Sequence, residues 1–139
     1  ILGIIAAIAV IAIGGIIENS KKDAHIANAK QIANATKLYM AAEDELEKDG
    51  IKLSQLIEGG YTDAIKDPSQ KDNKYDDEKT VITVKKDSTD KKDSTDKGYK
   101  YYVTLVGEGD VNYVTNPSKN DAMSLKREHI ENVNGKKAK

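Results

Sequence analysis

Histidine, carboxylate, hydroxyl and phenol side chains could carry chemistry in this chain of 139 residues; thiols could not, because it has no cysteine. Without cysteine there is no disulfide, no thiolate metal site and no thiol nucleophile. His25 and His129 are the two histidines, and neither has a second ligand at metal-binding spacing. His25 reads as a solvated side chain on the exposed part of a long helix. Serine, histidine and aspartate all occur, but no G-x-S-x-G or comparable nucleophile context surrounds any serine. Glu43, Asp44, Glu45 and Glu47 cluster near a helix C-terminus, where the helix dipole disfavours acids. A solvated face is the expected role, rather than a paired general acid and base.

Two further groupings invite a ligand. Lys85–Asp90 (KKDSTD) is repeated unchanged as Lys91–Asp96. Asp87, Asp90, Asp93 and Asp96 therefore recur every third residue, a carboxylate series that invites a calcium reading. However, no D-x-D-x-D-G loop is present, and the interleaved lysines oppose a cation. A lengthened, solvated loop over 85–98 is the plainer expectation. Tyr99, Tyr101 and Tyr102, beside Lys97 and Lys100, could stack single-stranded bases. Strand tyrosines are the expected reading in a chain with no Phe or Trp. Lys and Arg number 22 against 23 Asp and Glu, a net charge of −1, which supplies no field to attract nucleic acid. The expectation is no catalytic site, no cofactor and no metal, with nucleic acid not indicated as a partner.

The elements that would position these residues begin with an uncharged block. Ile1–Ile17 contains only Ile, Leu, Val, Ala and three glycines, and the first charge is Glu18. As a helix this block would span about 25 Å, slightly less than a bilayer's roughly 30 Å core. It reads as a membrane anchor, as a helix buried against copies of itself, or as both in turn. It does not read as a signal peptide, because no basic region or A-x-A site accompanies it. Its packing residues would be Ile1, Leu2, Ile4, Ile5, Ile8, Val10, Ile11, Ile13, Ile16 and Ile17. Gly3, Gly14 and Gly15 weaken the helix locally and are candidate points of flexibility.

The helical signal continues from Lys21 to Lys48 with neither Pro nor Gly. Ile32, Ala35, Leu38, Tyr39, Ala42 and Leu46 recur at spacings of three and four, as one buried face would. Asp49-Gly50 is the expected helix stop. A short helical turn follows over Leu53–Ile57, ended by Gly59-Gly60, and Asp67-Pro68 closes the next segment. Asn73–Glu78 reads as a charged loop. The period then changes to two: Thr80–Lys86, Tyr99–Val106 and Val111–Thr115 read as strands, the last two joined by a four-residue hairpin loop over Gly107–Asp110. From Asn116 onward Met123, Leu125, Ile130 and Val133 fit neither period, and the tail from Gly135 is expected to fray. Three strands need a helix to cover one face. The expected fold is α+β: a long helical spine on a small antiparallel sheet, with 1–20 as the apolar half of the helix and 21–139 as the head.

Taken together, Ile1–Ala24, Ala27–Gln31 and Ala35–Leu38 resemble the N-terminal segment of type IV pilins and pseudopilins, in the style of the Gram-positive bacterial ones. Leu53–Tyr61, followed by Lys66-Asp67-Pro68, resembles the L-x-x-L…G-Y…D-P segment that follows the spine in many such subunits. The likeness covers about the first half of the chain. The family's cleavage site, N-methylated first residue and early glutamate would lie upstream of Ile1. Its frequent proline near the position of Ile11 is missing, so any unwinding would rest on Gly3, Gly14 and Gly15. The missing cysteines exclude the disulfide-bounded loop of many Gram-negative pilins.

The resemblance implies a structural subunit, not an enzyme. Such a subunit would be held in the cytoplasmic membrane before assembly, handled by pilus assembly machinery, and built into a helical homo-oligomer on the cell surface. A minor pseudopilin of a DNA-uptake or type II-like secretion system is the nearest alternative. A single-span extracytoplasmic sensor domain is a more distant one.

Overall fold

The computed structural model describes residues 2–45, 48–86, 99–115 and 121–136, with side chains of the first helix described from Ile16 onward. Helix α1 runs over Leu2–Ala42 without interruption, so it is continuous through Gly3, Gly14 and Gly15. Strand β1 (Lys48–Lys52), helix α2 (Leu53–Glu58), and strands β2 (Val81–Lys86), β3 (Tyr99–Gly107) and β4 (Val111–Val114) follow. Short 3-10 turns at Ala122–Ser124 and Arg127–His129 complete the described elements. The strands form one antiparallel sheet in the order β1-β2-β3-β4. The architecture is α+β, a long N-terminal helix on an antiparallel sheet.

The sheet has four strands where the sequence suggested three, and the fourth explains a second difference. Helix α1 stops at Ala42 rather than near Lys48. Asp44 N–H donates to the Ala41 carbonyl at 3.4 Å and Glu45 N–H to the Met40 carbonyl at 3.0 Å, while Asp44 has φ 53°. This is the paired hydrogen-bond closure of a Schellman motif, with an aspartate holding the left-handed position usually given to glycine. Gly50, expected to end the helix, instead sits in β1 at φ 74°, where the β1–β2 register shifts between Lys48 and Ile51. Its freedom at positive φ serves a β-bulge, not a helix cap.

The buried face of α1 also differs from its apolar pattern. His25, Ala29, Ile32, Ala33, Ala35, Thr36 and Met40 are buried, whereas Leu38 is 61% exposed and Ala42 is exposed. The stripe thus runs 25, 29, 32, 36, 40 at helical spacing, and two of its members are polar. Thr36 meets the cost of burial by donating its hydroxyl to the Ile32 carbonyl at 2.8 Å. Buried alanines let the helix approach closely. Opposite it stand Ile82 and Val84 of β2, Val103 and Leu105 of β3, and Ile51, Leu53 and Leu56 around β1 and α2. Of the rest of the expected stripe, Tyr39 is partly buried against the core and Leu46 lies outside the described residues.

The hairpin between β3 and β4 has a loop of three residues, Glu108–Asp110, because β3 extends through Gly107. A bulge between Leu105 and Val106 displaces the ladder. Buried Thr80 repairs it, its hydroxyl donating to the Val106 carbonyl and accepting the Val106 N–H at 3.1 and 3.2 Å. Beyond β4, Ala122, Leu125 and Ile130 are buried in the same core. Glu131 N–H donates to the Tyr113 carbonyl at 2.9 Å, and Arg127 grips Asp23 of α1 through two hydrogen bonds of 2.7 Å. The C-terminal segment is therefore a strap tying β4 back to the spine.

The helix face gives a paired prediction. Ile32→Ala should cost about 2–5 kcal/mol of stability by leaving a cavity in the core, while Leu38→Ala should stay within about 0.5 kcal/mol. Urea unfolding of both variants in the same detergent measures this, and equal losses would contradict the face assigned here.

Candidate functional site

His25 gathers the most chemically capable groups in the described structure. It is completely buried on the inner face of α1. This corrects its reading as a solvated side chain: the apolar pattern ignored polar residues, so the segment that wraps over this turn of the helix went unseen. That segment is 65–76. Asp67-Pro68 turns it, Ser69 N–H donates to Asp67 Oδ1 at 2.8 Å, and Tyr75 pairs with the end of β3 at Gly107. It thereby sets Ser69 and Tyr75 on either side of the imidazole. Nδ1 of His25 lies 2.7 Å from the Tyr75 hydroxyl, and Nε2 lies 2.7 Å from Ser69 Oγ. The ring stacks on Tyr113 of β4, with centroids 4.0 Å apart and planes 26° from parallel.

The surrounding hydrogen bonds favour one direction of donation. Asn28 Nδ2 donates to the Tyr75 oxygen at 3.0 Å, so the phenol's own proton is available to Nδ1. Neutral imidazole has one donor and one acceptor. With Nδ1 accepting, Nε2 carries the proton and donates to Ser69 Oγ. On the far side, Tyr113 donates to Asp67 Oδ2 at 2.6 Å. Gln70 Nε2 donates to Asp67 Oδ2 and the Tyr113 oxygen, each at 3.3 Å, and to the Glu108 carbonyl at 2.9 Å. Every buried polar side chain of the cluster thus has a partner, as low-dielectric burial requires.

A histidine nitrogen 2.7 Å from a serine hydroxyl has the spacing of a general base and its nucleophile. In the favoured tautomer the direction of donation is wrong for that chemistry. Nε2–H gives a proton to Ser69 instead of accepting one, and the group on Nδ1 is a neutral phenol, not the carboxylate that stabilises an imidazolium. Burial, assisted by the charge of Lys21 one turn away, pushes the His25 imidazole down to about 4, so it is also a weak base. Burial raises the Tyr75 and Tyr113 phenols well above their ordinary range. Asp67 is likewise raised by burial, against the opposing hydrogen bonds of Tyr113, Ser69 and Gln70. The arrangement supports a structural clasp.

No protein-family model, curated protein or solved structure matches this chain. Its functional reading therefore rests on its own residues.

The other expected sites fall as follows. Ile16 and Ile17 are 63% and 49% exposed. Leu2, Ile4, Ile5, Ile8, Val10, Ile11 and Ile13 lie on the same uninterrupted helix; their side chains, and Ile1, lie outside what is described. Among the described residues no helix is long and apolar enough to cross a membrane; the expected span falls on the block before Ile16. Asp87, Asp90, Asp93, Asp96 and Lys97 are outside the described residues, and no metal-binding cluster occurs within them. Tyr99 and Tyr101 pack against the core, and Lys37 of α1 lies over the Tyr101 ring at 5.2 Å. Those two rings are thus engaged with the helix side of the sheet, not set out as a stacking platform. Glu43 and Asp44 are exposed and close the helix.

The clasp predicts two outcomes. Tyr75→Phe should destabilise the fold by about 1–3 kcal/mol, because it strips the partner from a buried imidazole nitrogen; denaturant melts of the variant and parent measure this. Ser69 should not label with a fluorophosphonate probe, and stoichiometric labelling would show that the hydroxyl is activated after all.

Proposed function

We propose that this chain is a type IV pilin-like subunit of a surface filament, with α1 as its assembly element. One observation carries the reading. A single helix of 41 residues buries a face in the head from His25 onward, yet leaves Ile16 and Ile17 uncovered just upstream. Upstream of those two residues lies an uncharged apolar sequence. A soluble head has no use for such a segment, and water penalises its exposure. A membrane hides it in one state, and the centre of a bundle of identical helices hides it in another. Moving between the two keeps apolar surface out of water throughout. Contacts that repeat head to tail without closing yield an open helical filament.

The head's construction suits this role. The sheet, the loop after α2 and the C-terminal strap all grip the second half of α1, so a load on the helix is carried into the core. The resemblance of Leu53–Tyr61 and Lys66–Pro68 to the post-spine segment of such subunits supports the same reading. Residues 53–58 form α2, and Asp67-Pro68 opens the segment that clasps His25.

Electron microscopy of the purified full chain should show thin helical filaments. Ile5→Lys or Ile8→Lys should abolish them while the head stays resistant to proteolysis. Normal filaments from either variant would remove the basis of the proposal.

A further inference from the structure

We infer that His25 is the pin of a proton-operated latch, which releases segment 65–76 and the C-terminal turn from α1 when the imidazole takes up a second proton. The inference stands on the geometry around the ring and holds whatever the apolar block assembles into.

In the neutral state Asn28 donates to Tyr75, and the tautomer that this favours takes the Tyr75 proton on Nδ1 and donates from Nε2 to Ser69. A doubly protonated ring has two donors and no acceptor. Its Nδ1–H then meets the phenol O–H head-on. Tyr75 can accept this proton only by turning its own away from Nδ1. Nor does the surrounding charge welcome an imidazolium. On α1, Lys21 repels it, Lys22 is paired to Glu18 at 3.4 Å, and Asp23 is taken by Arg127 of the strap. On segment 65–76 the one buried carboxylate, Asp67, has its oxygens engaged by Ser69 N–H, Gln70 and Tyr113. From β4 only the neutral phenol of Tyr113 faces the ring. A cation there has no direct counter-ion, so water must reach it.

The route for water is the clasp itself. Segment 65–76 joins α1 here through Ser69 and Tyr75, the two partners that protonation disturbs. The C-terminal turn should follow: Gly135, at φ 75°, sits so close to the Ser69 carbonyl that a Cβ would collide with it. The β2–β3 ladder and the stripe from Ala29 to Met40 touch neither event. Opening therefore reaches the sheet only at the end of β3, where Tyr75 pairs with Gly107 and Asp76 N–H donates to the Val106 carbonyl.

The sign follows from linkage. The buried ring titrates at about 4 against 6.5 when free, so between these values the open form binds more protons. Closure is fully favoured above about pH 6.5 and weakens as pH falls toward 4, by a limit of about 300-fold in the equilibrium constant. Asp67, raised by burial, acts the other way at the acidic end of that window.

Hydrogen–deuterium exchange of the full chain in detergent micelles, corrected for intrinsic exchange chemistry, tests the latch. Peptides over 65–76 and 127–136 should lose protection at least about tenfold between pH 6.5 and 4.5, with β2 and the stretch of β3 paired to it, Tyr99–Thr104, unchanged. His25→Gln should flatten that profile, and Lys21→Ala, which relieves the repulsion in the closed state, should lessen the acid-driven loss of protection. Uniform loss over the sheet, or an unaltered profile in His25→Gln, would overturn the inference. Should His25→Gln fail to fold, an NMR titration of the parent imidazole decides: an ordinary value near 6.5 would overturn the latch, and a value well below it, moving up in Lys21→Ala, would support it.

Discussion

Burying one face of α1 is the constraint on which the remaining elements depend. A lone helix gains little from its own hydrogen bonds in water. The second half of this one is held by what covers residues 25, 29, 32, 36 and 40. The sheet covers the later part of that stripe with branched aliphatic side chains. The earlier part presents histidine, and an apolar cover would leave both ring nitrogens unsatisfied at a cost of a few kcal/mol. Segment 65–76 solves this by bringing hydroxyls to both nitrogens. A tyrosine from β4 then closes the flat side of the ring.

The same segment explains why β1 and β2 are neighbours despite a long connection between them. After β1 the chain enters α2, whose Leu53 and Leu56 fill the core beside Ile51. It then crosses to α1, satisfies His25, and returns through Tyr75 and Asp76 alongside β3 before β2 begins. Asp76 N–H donates to the Val106 carbonyl at 2.8 Å, and Thr80 bonds both backbone groups of Val106. The excursion is thus stitched to the sheet at its end and to the helix at its middle. Gly107 marks the crowded meeting point, where a Cβ would collide with Asp67, Gln70 and Tyr113.

The sequence made the long helix, the short α2, the period-two strands and the α+β class legible, because each is written in hydrophobic spacing or in glycine and proline. It hid what spacing does not encode. His25 and Thr36 belong to the buried stripe, but a pattern that counts only apolar residues passes over them and admits Leu38 in their place. Asp44 ends the helix in a conformation that glycine signals far more clearly, so the true stop was masked by the louder Asp49-Gly50. Strand β1, KDGIK, has one buried residue, Ile51; a strand so polar has no alternation to read. The clasp depends on contacts between residues 44 to 50 positions apart. Each partner is an ordinary loop or strand residue until the fold brings it to the ring.

The duplicated hexapeptide begins inside β2, at Lys85 and Lys86, and the register of the strands bears on what its length costs. Strands β2 and β3 stay paired, residue for residue, from Val81 with Thr104 to Lys86 with Tyr99. The ends of the connection are therefore already held together before its length matters. Doubling the length of chain between two such ends costs about 0.6 kcal/mol in closure entropy, well below the loss from one buried isoleucine. A copied KKDSTD unit adds no net charge and removes no core residue. Length added between these paired ends thus weighs little on the grip of the head on α1. Segment 65–76 has no such latitude, because inserting one residue there would shift Ser69 or Tyr75 off the imidazole.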